Sequence, residues 1–275
     1  MSKEEMSKDV IGKEEMYRDE MRQEEMSQVA TNNKESNNDE QRQAYYPQTG
    51  VAVTCRSFAE YVAMFALEDA ELRRGPVLDA AGGASSFAAE ARARGIRAAA
   101  ADPRYALSPA ELYEQSVEEI AASTAKIEKL KEAFDWTFYG SVEAHRANRE
   151  RSLEAFRANY DGPEGRSTYR AAALPALPFD DESFALVLCS HFLFLYEEQF
   201  SYDFHRAAVK ELYRLVAPGG ELRIYPLHSL RFAQYERLDE LLAELEAMGA
   251  VAETLPSRLP FIPGSTRLLR VGKPR

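Results

Sequence analysis

The chain has 275 residues, a formal net charge of −11, 45% hydrophobic residues and two cysteines. That length accommodates one large domain or two small ones with ample core, and the acidic balance argues against a protein that lives on nucleic acid, whose phosphates demand clustered Lys and Arg. Cys55 and Cys189 cannot staple a fold of this size and lack metal-ligand spacing, which points to a reducing, cytoplasmic compartment; no apolar run is long enough to span a bilayer, and the N-terminus is charged where a signal peptide would be apolar.

Residues 1–50 hold 12 acidic and 7 basic side chains and no Leu, Phe or Trp. Such a segment buries too little apolar area to offset its ordering entropy, so a disordered acidic tail is expected. Lys3-Glu4-Glu5-Met6, Lys13-Glu14-Glu15-Met16 and Gln23-Glu24-Glu25-Met26 repeat at a spacing of ten. On a helix that spacing turns each Met roughly 80° from the last, so no coiled-coil seam forms. A solvated extension is the simpler reading; docking of the methionines on a protein partner is the functional one.

From residue 51 the pattern is α/β. Ser57 caps an expected helix carrying Phe58, Tyr61, Val62, Phe65 and Leu72 at helical spacing, ended by Gly75. A strand at 76–79, a small-residue turn at 80–85, a helix at 86–94 stopped by Gly95 and a strand at 96–101 make a βαβ unit. A strand is expected near 168–173. Further on come a strand at 184–190, a helix at 200–216 closed by Pro218-Gly219-Gly220, a strand at 221–227 and a helix at 231–248. Strands at 251–255 and 266–271, joined by a Pro-rich loop, suggest an antiparallel end to a mostly parallel sheet. The stretch at about 108–166 is too long for an ordinary crossover and reads as a helical cap. Its Phe134, Trp136, Phe138, Tyr139, Phe156 and Tyr160 either line a substrate pocket or form the cap's own core, the second being the default.

Chemistry concentrates at the first turn and Asp102. Asp79-Ala80-Ala81-Gly82-Gly83-Ala84-Ser85 lets backbone N–H groups approach a ligand closely, and Asp102 stands at the tip of the second strand where a carboxylate can take a ribose diol. The turn lacks the G-x-G-x-x-G spacing of a nicotinamide site, because Gly82 and Gly83 are adjacent. Asp180-Asp181-Glu182 reads as a solvated turn, and Arg92, Arg94 and Arg97 as a helix-end basic run.

With these motifs in order the sequence resembles the class I S-adenosylmethionine-dependent methyltransferases. The stretch 77–85 is similar to their first motif and Asp102 to their ribose-binding acid. Residues 177–188 resemble the entry to the fourth strand, and 211–222 the helix, Pro-Gly-Gly turn and fifth strand. The resemblance implies a Rossmann-like three-layer sandwich with a mostly parallel seven-stranded sheet, S-adenosyl-L-methionine as cofactor and a small-molecule acceptor under the cap. It assigns Asp79, Ala81, Gly82, Gly83, Asp102 and Ser190 to the cofactor, and no metal. Ala81 and Ser85 stand where the family has glycine, Ala173 where many members place an adenine-binding acid, and Ala185 where Asp is common. These departures favour the alternative, a non-catalytic binding module. If the reaction uses a general base, His191 is the candidate, at the end of the fourth strand beside the crevice. Tyr196 and Glu197 either shape the substrate pocket or cap the next helix, the second being the default; His205 reads as a solvated-face residue, and for His228, after the fifth strand, a place facing the crevice is the lesser reading.

Overall fold

Alternation of side chains along short, doubly buried strands builds the centre of the protein. The computed structural model describes residues 45–275; the tail and its Met repeats lie outside the described residues, apart from 45–50. Tyr46 N–H donates to the Leu230 carbonyl at 2.8 Å and Lys126 Nζ to Gln48 Oε1 at 2.7 Å, so packed structure begins before residue 51.

The elements are α1 Phe58–Met64, α2 Asp69–Leu72, β1 Val77–Ala80, α3 Phe87–Ala93, β2 Ala98–Ala101, α4 Pro109–Lys129, α5 Val142–Tyr160, α6 Gly165–Thr168 and β3 Tyr169–Arg170. Then follow β4 Phe184–Ser190, α7 Tyr202–Arg214, β5 Val216–Tyr225, α8 Leu238–Ala247, β6 Val251–Pro256 and β7 Arg267–Gly272. One seven-stranded sheet has the order β3-β2-β1-β4-β5-β7-β6. β7 alone runs against its neighbours, pairing antiparallel with both β5 and β6, as the Pro-rich loop predicts. Leu186 and Leu188 of β4 face a core shared with α1, α3 and the cap, whereas Val187 and Cys189 face a second core with α7 and α8. That is the three-layer sandwich expected from the βα alternation. The strand order reverses at β1, between β2 and β4, which opens a crevice at their carboxyl ends.

Three boundaries differ from expectation. The first helix is two: the chain breaks at Ala66, at φ 51°, and restarts at Asp69. Helix α8 begins at Leu238 rather than 231, because residues 228–234 form a turn with Phe232 at φ 60° and a His228–Gln234 bridge. The Pro-Gly-Gly turn falls inside β5 as a register break, pairing Phe184 with Val216 but Leu186 with Glu221. Ala185 sits in that break. A Cβ on Gly75 would stand 2.8 Å from the Ala185 Cβ, and one on Gly220 2.7 Å from its carbonyl, so glycine at both positions lets the chain close on Ala185.

The cap is α4 and α5, packed on each other and on α3. Phe156 stacks on Tyr105, and Tyr160 and Tyr169 close the cluster with tilted and edge-on contacts, as a cap core does. Phe134 does not; it stacks on Phe261 and lines a cavity.

Candidate active site

The turn after β1 puts Asp79, 1% exposed, at the floor of the crevice. Tyr61 on α1 donates its hydroxyl to the Asp79 carboxyl at 2.9 Å. Burial outweighs that bond and pushes the Asp79 carboxyl up to about 8. Ala81 adopts φ 57°, a conformation that favours glycine, so the substitution at this position carries strain while the turn keeps its shape. Ser85 needs no such angle; its hydroxyl donates to the Arg56 carbonyl at 2.7 Å. Gly82 has no Cβ because one would lie 2.8 Å from Asp79 Oδ2 and 2.9 Å from the Tyr105 hydroxyl.

Asp102, 4% exposed, accepts from Gly83 N–H at 3.0 Å and Arg104 N–H at 2.9 Å. Burial raises its pKa against the opposing pull of Arg104. Asp102 and the glycine turn are thus brought together, as expected. An extended strap, residues 51–56, closes on them: Ala84 N–H donates to the Thr54 carbonyl and Ser86 N–H to that of Arg56, both at 3.0 Å. A Cβ on Gly83, which has φ 55°, would stand 2.9 Å from the Thr54 carbonyl oxygen. The strap is pinned in turn by Arg104 on the Val51 carbonyl and by the Tyr196 hydroxyl, which accepts Ala52 N–H at 2.9 Å.

Beyond the strap lies a cavity with about 620 Å³ of empty space, mouth included. Phe134, Phe232 and Phe261 supply apolar wall; Arg56, Glu119, Arg149, His191 and Tyr196 supply polar groups. His191 stands at φ 50° just after β4, a strained backbone of the kind that collects at functional sites. Its Nδ1 pairs with Ser190 Oγ at 3.0 Å, and its buried Nε2 has no partner among the described residues. Burial, then Arg56, Arg149 and His145, hold its pKa well below the usual imidazole range, so the ring is neutral at pH 7. Ser190 Oγ also meets Met64 Sδ at 3.7 Å.

Three sequence expectations change here. Tyr196 caps no helix; it borders the cavity and holds the strap. Glu197 falls in the turn after Tyr196, at the C-cap of the 3-10 helix Phe194–Tyr196. His205 is 1% exposed, not solvated, with Nδ1 2.9 Å from the Tyr235 hydroxyl. His228 packs on Gly264. Arg56, Glu119 and Arg149 went unread. Their signal was present: His145, Arg149 and Ser152 fall on the same helical face as Val142, Leu153 and Phe156, so polar residues occupy core positions. No cluster of metal-ligating side chains occurs among the described residues, and both cysteines are buried thiols.

Asp79 gives a testable pH dependence. An unfolded Asp titrates near 3.8 and the folded one near 8, so the folded state takes up a proton first on acidification. The stability tied to Asp79 is therefore present at low pH and lost as pH rises from about 4 to 8, by ~1.4 kcal/mol per pH unit. Asp79→Asn is expected to gain in melting temperature relative to wild type as pH is raised from 5 to 8. A constant difference across that range would contradict the assignment.

A family model described as a methyltransferase domain matches residues 149–224. An uncharacterised protein of Methanocaldococcus jannaschii is 33% identical over 193 residues, which span 70% of this chain and 85% of that one. Solved structures similar to it include a putative S-adenosylmethionine-dependent methyltransferase from Methanococcus maripaludis, at 12% identity and a TM-score of 0.40 over 79% of this chain and 84% of that one. Another is magnesium protoporphyrin IX methyltransferase from Synechocystis with bound cofactor, at 14% identity and a TM-score of 0.44 over 78% and 77%. The 3-2-1-4-5-7-6 sheet and its switch-point crevice define a Rossmann-like methyltransferase fold. The chain thus carries a match to a methyltransferase domain and belongs to one family with the Methanocaldococcus jannaschii protein; S-adenosyl-L-methionine is the cofactor that a fold of this kind implies.

The residues at the crevice fit that cofactor in kind. The Asp102 carboxylate has about four acceptor positions, of which backbone N–H groups use two. The Tyr105 hydroxyl, buried beside Gly82 and Asp79, has no partner among the described residues. Both are groups that a nucleoside would satisfy. Space is the constraint: the strap already takes the N–H groups of Ala84 and Ser86, so a ligand seated on that part of the turn displaces Thr54 and Arg56.

Proposed function

We propose that this protein methylates a small-molecule acceptor held in the cavity beyond the strap, with His191 as the group that manages the acceptor's proton. Asp102 takes the ribose diol, and the turn Asp79, Ala81, Gly82 and Gly83 faces the methionine part, with Ser190 beside it. Bound, the cofactor supplies a methyl group on a sulfonium. The chain's own residues need only bind, orient and exclude water, which alone is worth ~7–11 kcal/mol of barrier in well-oriented systems. The observation that carries the reading is the position of His191: one residue past β4 at the crevice, its unpartnered Nε2 on a residue that borders the cavity. His191 is neutral at pH 7, so its ring can hydrogen-bond the proton-bearing group of the acceptor, while the burial and arginines that hold its pKa down also weaken it as a base until a bound anion offsets their charge. The two unpaired, buried thiols support a reducing and hence cytoplasmic setting.

Calorimetry with S-adenosylhomocysteine tests the cofactor half. Binding is expected, accompanied by altered amide exchange in both residues 51–56 and 79–86, because the ligand must displace the strap from the turn. Absence of binding at about 1 mM ligand would sink the proposal. Exchange changes confined to the turn would show that the strap stays in place.

A further inference from the structure

We infer that the acceptor carries a carboxylate on a flat apolar body, and that Arg149 is the residue that takes that carboxylate. The inference rests on the methyltransferase reading above and names the substrate class for the same cavity.

Charge bookkeeping inside the cavity separates Arg149 from its neighbours. Arg56 is matched: Nη1 lies 3.2 Å from Glu60 Oε1. Arg149 is only 7% exposed, yet among the described residues no carboxylate lies within ion-pair distance of it. Its single protein hydrogen bond there runs from Nε to His145 Nε2 at 3.0 Å. That bond fixes the plane of the guanidinium and leaves both Nη groups without a described partner. A buried cation without a counter-ion is costly, and a planar carboxylate on its two Nη groups relieves it with matched geometry. His145 adds no charge, since burial and then Arg149 and Arg56 hold its pKa far below the imidazole range. Arg56 Nε, buried and unpartnered among the described residues, is a further donor on the same wall. One guanidinium without a direct ion-pair partner, in a cavity that also holds Glu119, suits a monoanion better than a phosphate dianion. Glu119 on α4 is the acidic group of the cavity; its Oε1 is buried and without a partner among the described residues, so it disfavours a second negative charge on the ligand and favours a ligand that also carries a hydrogen-bond donor. Phe134, Phe232 and Phe261 provide the faces for a ring-sized apolar body.

Trp136, the only tryptophan of the chain, reports on this cavity. Its ring meets Phe261 edge-on at 5.2 Å and Phe134 at 6.3 Å, and both of these line the cavity. The test is a fluorescence titration of the full chain with benzoate, its neutral isostere benzamide, and benzylamine. Benzoate is expected to bind about tenfold or more tightly than benzamide, the equivalent of one charge-assisted hydrogen bond, with benzylamine weakest. Arg149→Gln is expected to bring benzoate and benzamide to parity, and Arg149→Lys to retain part of the preference. Benzamide or benzylamine binding as well as benzoate, no benzoate binding at about 10 mM, or an Arg149→Gln variant that keeps the preference would each overturn the inference. The wild-type comparison needs no variant and so stands even where Arg149→Gln fails to fold. The S-adenosylhomocysteine titration keeps the two proposals apart. Carboxylate preference without cofactor binding leaves the seat and removes the methyltransferase assignment; cofactor binding without carboxylate preference does the reverse.

Discussion

Glu60→Ala is expected to destabilise the protein by about 3–5 kcal/mol, the cost of leaving a buried ionic partner uncompensated. Glu60 is wholly buried and accepts five hydrogen bonds. They come from Arg56 Nη1 at 3.2 Å, Ser57 N–H at 2.7 Å, the Ser57 hydroxyl at 2.9 Å, the Tyr139 hydroxyl at 2.6 Å and Asn148 Nδ2 at 2.6 Å. The carboxylate thus caps α1, neutralises the strap's arginine and ties both to the cap. For a domain of this size each kcal/mol moves the melting temperature by ~2–4 °C, so a fall of roughly 10 °C or more is expected in calorimetry. Adding Arg56→Met to Glu60→Ala removes the orphaned charge and should recover part of the loss. A melting temperature within a degree or two of wild type would show that the ion pair does not hold the cap to α1.

Asp102→Ala is expected to weaken S-adenosylhomocysteine binding at least a hundredfold. Two charge-assisted hydrogen bonds to a ribose diol, at about 1.5–3 kcal/mol each, set that scale. The same substitution releases Gly83 N–H and Arg104 N–H, so some stability is lost as well. Asp102→Asn separates the two effects. It keeps acceptor capacity for the backbone but loses the charge, and should bind the ligand with intermediate affinity at near-normal stability. Unchanged affinity in Asp102→Ala at calorimetric precision would remove Asp102 from the site.

The elements that were legible in the sequence are those decided within a few residues. Phe184–Ser190 reads as a strand because seven apolar or small residues lie between turn signals, and it is one. The reversal of β7 was legible from the Pro-rich loop that precedes it. Helix α8 was placed seven residues too early because its apolar spacing runs on through 231–237, whereas the chain there turns to meet Gln234. His205 misled for the opposite reason: Arg206 and Lys210 beside it gave a solvated pattern, while the ring itself turns inward to Tyr235.

The sequence by itself determined the order of strands and helices, the glycine turn, and Asp102 at the tip of β2. Periodicity, breakers and the right-handed crossover are local or nearly local properties. Only the tertiary structure decided how the site is closed and charged. Ala84 and Thr54 are bound through the strap, Glu60 reaches Tyr139 and Asn148 across 79 and 88 residues, and Arg149 is brought to the same cavity as His191. No period in the chain encodes such pairings. They arise because burying the cap's apolar faces on α3 and the sheet also buries the polar groups that share those faces. Each such group must then find a partner or, as with Arg149 and His191, present an unmet donor or acceptor to a ligand.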